Sequence, residues 1–128
     1  MEEKNIIAAA SYANKKYFFD AESCAEIPGG VRKELETLCK SAAELIQGVF
    51  SVAYMQKSGE IIFAADSDDD NEIDFDEIGA RLITDKFVKE NSELIKSLQL
   101  WHALYKTEQG QKIIEKLKKN IRNTGEKQ

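Results

Sequence analysis

The sequence predicts a single α+β domain, and three observations carry that prediction. Val31, Leu35, Leu38, Cys39, Ala42, Leu45, Ile46 and Val49 fall on one helical face, while Lys33, Glu36, Lys40, Glu44 and Gln47 fall opposite. Residues 49–55 and 60–65 are rich in β-branched and aromatic side chains and flank the short connection Gln56-Lys57-Ser58-Gly59, the pattern of a β-hairpin. With 128 residues, 42% of them apolar and only one a proline, the chain has material for one ordinary hydrophobic core.

Taken in order, Ile6, Ala9, Ala10 and Ala13 have helical spacing and predict a short helix closed by Asn14-Lys15-Lys16. Tyr17-Phe18-Phe19 is the candidate third strand, near 17–19. The helix at about 28–47 begins with Pro28 in its first turn, where a missing N–H costs nothing, and ends at Gly48 as a left-handed cap. The hairpin spans about 49–65. A two-stranded hairpin is marginal alone, so it must pack on helices or recruit further strands. A long helix is predicted over about 75–107, with Ser92 capping a new segment after a break near Asn91. It carries two apolar stripes, one of Ile83, Phe87, Leu94, Leu98, Trp101 and Tyr105, the other of Ile78, Leu82, Leu100 and Leu104. After Gly110, a helix at about 111–122 has Ile113, Ile114, Leu117 and Ile121 on one side, expected to cover the core, with Lys112, Lys116, Lys119 and Arg122 around the rest. The domain is expected to occupy 1–122, with 123–128 a frayed tail. Leu35, Leu38, Ala42, Ile46, Val52, Ile62, Phe63, Leu82, Phe87, Leu98 and Trp101 are expected in or beside the core.

A net charge of −5 argues against nucleic acid as a partner, because a phosphate-binding surface needs surplus Lys and Arg. The longest apolar run, residues 6–10, is far short of the roughly 20 residues needed to span a membrane. The acidic start matches no secretory signal, and the expected location is the cytoplasm. Cys24 and Cys39 form no CxxC pair, so free thiols are expected in that reducing compartment.

Residues 66–77 hold the chain's densest chemistry. Eight of the twelve are acidic, so this stretch carries −8 and the rest of the chain is at +3. Such a density repels itself unless it is solvated, paired or neutralised by a metal. The spacing offers a calcium loop of the EF-hand kind: Asp66, Asp68 and Asp70 at positions one, three and five, Glu72 through its carbonyl, Asp74 through water, and Glu77 as the bidentate twelfth. Against that stand Asn71 where the motif wants glycine, a preceding segment that reads as a strand, and the lack of a second loop. A solvated acidic connection leading into a helix N-terminus is the preferred reading, and Asp74, Asp76 and Glu77 suit the positive end of that helix. No cofactor is expected, with calcium as the alternative.

Other chemistry is sparse. His102, the one histidine, sits beside Trp101 and near Tyr105 with no acidic residue at helical spacing, which reads as a packed or half-exposed structural histidine. There is no GxxxxGK[ST], GxGxxG or HExxH. An enzyme without a local motif would be sought where Tyr12, Tyr17, Cys24 or His102 meets carboxylates in a cleft.

Ala8-Ala9 with Ser11-Tyr12, Lys15-Lys16-Tyr17-Phe18-Phe19, Ile27-Pro28, Glu34-Leu35, Leu38-Cys39 and Asp76-Glu77-Ile78-Gly79-Ala80 resemble a family of small uncharacterised proteins from Gram-positive anaerobes, a domain of unknown function, over roughly 6–107. The resemblance implies an architecture, no catalytic residues, and an acidic segment unlike a regular EF-hand loop. The functional expectation is a non-enzymatic cytoplasmic protein-interaction module, because the long helix carries more apolar residues than one face needs. Its partner is expected to be another protein or a second copy of the chain. The alternatives are a calcium-binding protein and an enzyme with no recognisable motif.

Overall fold

A computed structural model describes residues 3–68 and 75–126, with side chains as far as Asn120. Strands β1 (Lys4–Ser11), β2 (Lys16–Phe19), β3 (Val49–Met55) and β4 (Ile61–Asp66) form one antiparallel sheet in the order β2-β1-β3-β4. Helix α1 (Gly29–Ile46) joins the first hairpin to the second, and α2 (Glu77–Glu90), α3 (Ser92–Tyr105) and α4 (Glu108–Glu126) follow. The class is α+β, as the sequence predicts, and the sheet has one strand more than the expected two or three.

The extra strand is β1, which replaces the short helix expected over residues 6–13. An alanine-rich apolar run fits a 3.6-residue period and a two-residue period equally well, so spacing alone could not choose. Tertiary structure decides: β1 is paired on both sides, with β2 and with β3, and a strand in that position tolerates apolar residues on both faces. Ala8 and Ala10 are buried beneath α1, whose own Ala42 and Ala43 are buried in return. Small residues on both partners let helix and sheet approach closely. Between Ile6 and Ala8 the register with β3 shifts at a bulge, and Ile7 is the extra residue, fully buried.

Pro28 is the residue before α1 rather than part of its first turn. Gln47, not Gly48, takes the left-handed position at the other end, with φ 54 and its N–H on the Ala43 carbonyl. Gly48 is needed for another reason, since a Cβ there would run into the Asp66 carbonyl and the Phe75 ring. The helix predicted over 75–107 is broken at Asn91. The Asn91 side chain donates to the Phe87 carbonyl at 2.8 Å and closes α2, and no side-chain cap from Ser92 is involved.

Helices α1, α2 and α3 pack on one face of the sheet. Leu35, Leu38, Cys39 and Ile46 of α1 and Leu94, Leu98 and Trp101 of α3 meet Phe50, Val52, Tyr54 and Phe63 in one core. Phe50 packs edge-on against Phe63 with ring centres 5.6 Å apart, and Tyr54 against Trp101 at 5.2 Å. Phe87 lies against Phe50 from α2. Leu82, expected in or beside the core, is 66% exposed, and Ile78 and Leu100 of the same stripe are exposed with it. It falls on the far side of α2 from Phe87.

The C-terminal helix departs furthest from expectation. It starts at Glu108, where the Thr107 hydroxyl accepts from the Gly110 N–H at 3.0 Å, and it stays helical to Glu126, beyond the expected end at 122. Gly110 presses against the backbone of Ala103 and Leu104, a contact no larger residue could make. Past that crossing the helix leaves the domain: Ile113 is 46% and Leu117 55% exposed, so its apolar stripe does not cover the core.

Candidate functional site

Three features of the described residues bear on function: the two ends of the acidic segment, the buried thiols with His102, and the apolar surfaces left uncovered.

Asp66 ends β4, and the chain before the acidic segment is therefore a strand, unlike the helix of an EF-hand. One Asp66 oxygen accepts from the Ser67 N–H at 2.8 Å. Asp68 is committed elsewhere. Its Oδ1 accepts from the Ser11 hydroxyl at 2.5 Å and its Oδ2 from the Ala13 N–H at 3.0 Å. Asn14 also donates to the Ser11 hydroxyl, from its N–H and its side chain. Asp68 thus fastens the turn between β1 and β2, in which Lys15 takes a left-handed φ of 51. At the far end Asp76 caps α2, accepting from the Gly79 N–H at 2.9 Å, and Glu77 is exposed in the first turn. Both serve the helix end in the manner expected of acidic residues there. Asp70, Glu72 and Asp74 lie outside the described residues. Among those described, no three carboxylate, imidazole or thiol groups converge.

Cys24 and Cys39 are free and fully buried. Burial pushes the Cys39 thiol up to about 12. Burial, with Asp20 adding to it, pushes Cys24 up to about 11. Neither is poised as a nucleophile, since reactive cysteines sit in surroundings that favour the thiolate. Tyr17 stands near Cys39 and Glu36, and its hydroxyl has no hydrogen-bond partner among the described residues. Burial first, then those two groups, raises it above the ordinary tyrosine range. Tyr12 lines a shallow cleft with Lys15, Lys16, Lys40 and Glu44. His102 is packed, within what its sequence context predicts. Its Nε2 meets the Gln56 carbonyl at 2.8 Å, so that nitrogen carries the hydrogen, and its other side abuts Gly59, which sits at φ 75. His102 pins the turn of the second hairpin to α3.

The uncovered surfaces were only partly visible in sequence. Strand register places Ile6, Ala9, Phe18, Ala53, Ile62 and Ala64 on the face of the sheet away from the helices, with Ser51 between them and Met55 at one end. None of these belongs to the core cluster. Ile62 is among them, which corrects its expected place in or beside the core. Ala53 is only 1% exposed, whereas Phe18 is 53% exposed. Charged residues occur only at the corners, as Lys4, Lys16 and Asp66. An antiparallel sheet with one wet face ordinarily alternates apolar with polar residues, and this one does not. The signal was present in the near-continuous apolar runs of residues 6–10 and 61–65. On the helical side, Ile27, Pro28, Val31, Leu100, Trp101 and Leu104 line a groove of about 310 Å³. The indole of Trp101 donates to Glu26 at 3.1 Å at its edge.

No helix among the described residues is long and apolar enough to cross a membrane. No curated protein and no solved structure matches the chain. A family model does match, over residues 4–110, which takes in the sheet and α1 to α3 and stops at the crossing of α3 and α4. The chain belongs to that family, a family of unknown function designated DUF6145.

Proposed function

We propose that the protein is a non-catalytic protein-interaction module of the cytoplasm. The observation that supports this reading is the reverse face of the sheet, apolar from edge to edge and bare of helices. Exposed apolar surface of that extent on a small domain ordinarily marks a site of association. Two cysteines kept as buried thiols fit a reducing compartment. A net charge of −5 favours a protein partner over nucleic acid. Ile62→Lys puts a charge on the face, on its edge strand β4, without entering the core. Crosslinking in native lysate, followed by comparison of the wild-type and Ile62→Lys adducts, tests the reading. Loss of the wild-type adducts in the variant is expected. Identical adduct patterns from both chains would defeat the proposal.

A further inference from the structure

We propose that an extended, basic segment of a partner protein adds to the free edge of β4 as a further strand, in the groove between that edge and α2. The site is separate from the reverse face and does not rest on the reading above. Hydrogen bonding says what kind of occupant the edge takes. The Met55 N–H donates to the Glu60 carbonyl at 2.9 Å, and the register with β3 runs unbroken from there to Asp66. Alternation then turns the backbone groups of Ile62, Ala64 and Asp66 toward β3, and those of Ile61, Phe63 and Ala65 outward. No described residue bonds to the outward N–H and C=O groups. A second backbone in extended form is what matches such a row. Natural sheets blunt a free edge with a short strand, a lysine, a proline or a bulge. The opposite edge follows that rule, since β2 has four residues and opens with Lys16. β4 has six, with no lysine, no proline and no bulge.

Groove chemistry says which side chains the segment carries. Phe63, Ala65 and Ala80 line a cleft of about 420 Å³ beside the edge, and Glu77, Arg81 and Asp85 of α2 stand along it. With Asp66 at one end, three carboxylates face one guanidinium, a net −2. None of the four takes part in an ion pair among the described residues. A lysine or arginine there lays its stem on Phe63 and Ala80 and brings its charge to Glu77 or Asp85. Side chains alternate across a strand, so the residues between turn to the reverse side, beside Ile62 and Ala64, where valine or isoleucine fits. The segment therefore alternates basic with β-branched residues over about six positions, roughly 20 Å of strand. The same charge disfavours a second copy, because pairing β4 with β4 brings two net-negative rims to one seam. Edge addition does not depend on a large area. Main-chain bonds hold the segment, and a peptide-sized contact belongs to the weak, transient class below about 1,200 Å².

Fluorescence anisotropy on the full chain tests the site with a labelled peptide of about eight residues that alternates lysine and valine. Saturable binding is expected, and a version with glutamate in place of lysine is expected to bind at least about tenfold more weakly. Two further peptides carry N-methyl groups, one on the valine amides and the other on the lysine amides. A strand turns only one of these sets toward β4, so one peptide should lose binding and the other keep it. Ala65→Pro removes an outward N–H without touching the β3 ladder and should abolish binding, with circular dichroism confirming the fold. Asp85→Lys, on the exposed rim, should weaken binding about fivefold. Absence of saturable binding by the lysine and valine peptide would overturn the proposal. Equal behaviour of the two methylated peptides, both binding or neither, would overturn it too, since attraction to acidic residues 66–77 alone does not read the backbone. So would full binding by a folded Ala65→Pro chain. Should that variant not fold, the methylated pair and Asp85→Lys decide the matter. A wild-type dimer in sedimentation velocity that Ala65→Pro dissociates would give the edge to a second copy and overturn the basic partner. The peptides test the edge and the lysate crosslinks test the reverse face, so either reading can fail alone.

Discussion

On the front of the sheet, Phe50, Val52 and Phe63 lie under three helices and are almost wholly removed from water. On the reverse, Ile62 and Ala64 come from the same strands, alternate with them residue by residue, are only partly buried, and carry no helix among the described residues. The front is the bulkier, with Phe50, Tyr54 and Phe63 against Ser51, Ala53 and Ala64, yet both faces are largely apolar. What differs further is cover, and cover is a tertiary property. The comparison teaches that an apolar side chain in this sheet does not by itself mark the side that the helices cover.

The sharpest way to break the comparison is to truncate one residue on each side of the sheet, Leu98 of α3 in front and Ile62 behind. Leu98→Ala, opening a cavity beneath the front face, is expected to cost about 3–4 kcal/mol in urea unfolding. Ile62→Ala on the reverse is expected to cost under about 1 kcal/mol at nanomolar concentration, where any dimer has dissociated. Equal losses would mean the reverse face is covered within one chain.

Next in size is the alkaline response of the front-face cysteines. Both thiols are neutral in the fold, with values of about 11 and about 12 against 9.0 for an ordinary thiol. Their contribution to stability is complete below pH 9, and it is lost as pH rises through 11 and 12 because the unfolded chain sheds those protons first. Urea midpoints measured from pH 8 to pH 11 should fall, less steeply in Cys39→Ala, and native alkylation at pH 8 should run far slower than in urea. Fast alkylation of either native thiol would contradict the packing described for it.

Gly59→Ala comes third, at about 1–2 kcal/mol, since it pairs a left-handed φ with a collision against His102. Its effect should be confined to the second hairpin, with faster amide exchange at Met55 and Glu60 the signature. The smallest effect concerns the acidic segment. Asp68→Ala frees the turn between β1 and β2 for about 1 kcal/mol. Millimolar calcium is expected to shift the melting temperature no more than magnesium does. A saturable calcium-specific rise that Glu77→Gln abolishes would restore the metal-loop reading.

Much of the front layer was legible in sequence because its signals are local. Leu35, Leu38, Ala42 and Ile46 recur at helical spacing, Gly59 marks its turn, and Asn91 marks its break. The remainder depended on partners distant in the chain. An alanine run such as residues 8–10 suits either period, and only pairing on both sides made it a strand. Leu82 and Ile62 are as apolar as their buried neighbours, so nothing in their identity told which side of a helix or sheet would be left open. The same limit applies to α4, whose stripe predicts that something covers it without saying which molecule supplies the cover. For the acidic segment, spacing suggested Asp68 as a ligand, and only the fold revealed Ser11 and Ala13 as the donors that hold it.

The bulge at Ile7 works as a one-residue change of phase along β1. Without it, strict alternation back from Ala8 would turn Lys4 and Ile6 toward the helices and Asn5 toward the reverse face. With it, Asn5 pairs beside Tyr54 on the front, Ile6 joins Ala53 on the back, and Ile7 is kept for the core. Each side of the strand receives one isoleucine, and Lys4 stays out of the interior. The apolar character of the reverse face is thus set partly by the backbone, and deleting Ile7 should leave Lys4, Asn5 and Ile6 on their present faces in regular register with β3 while removing one isoleucine from the core.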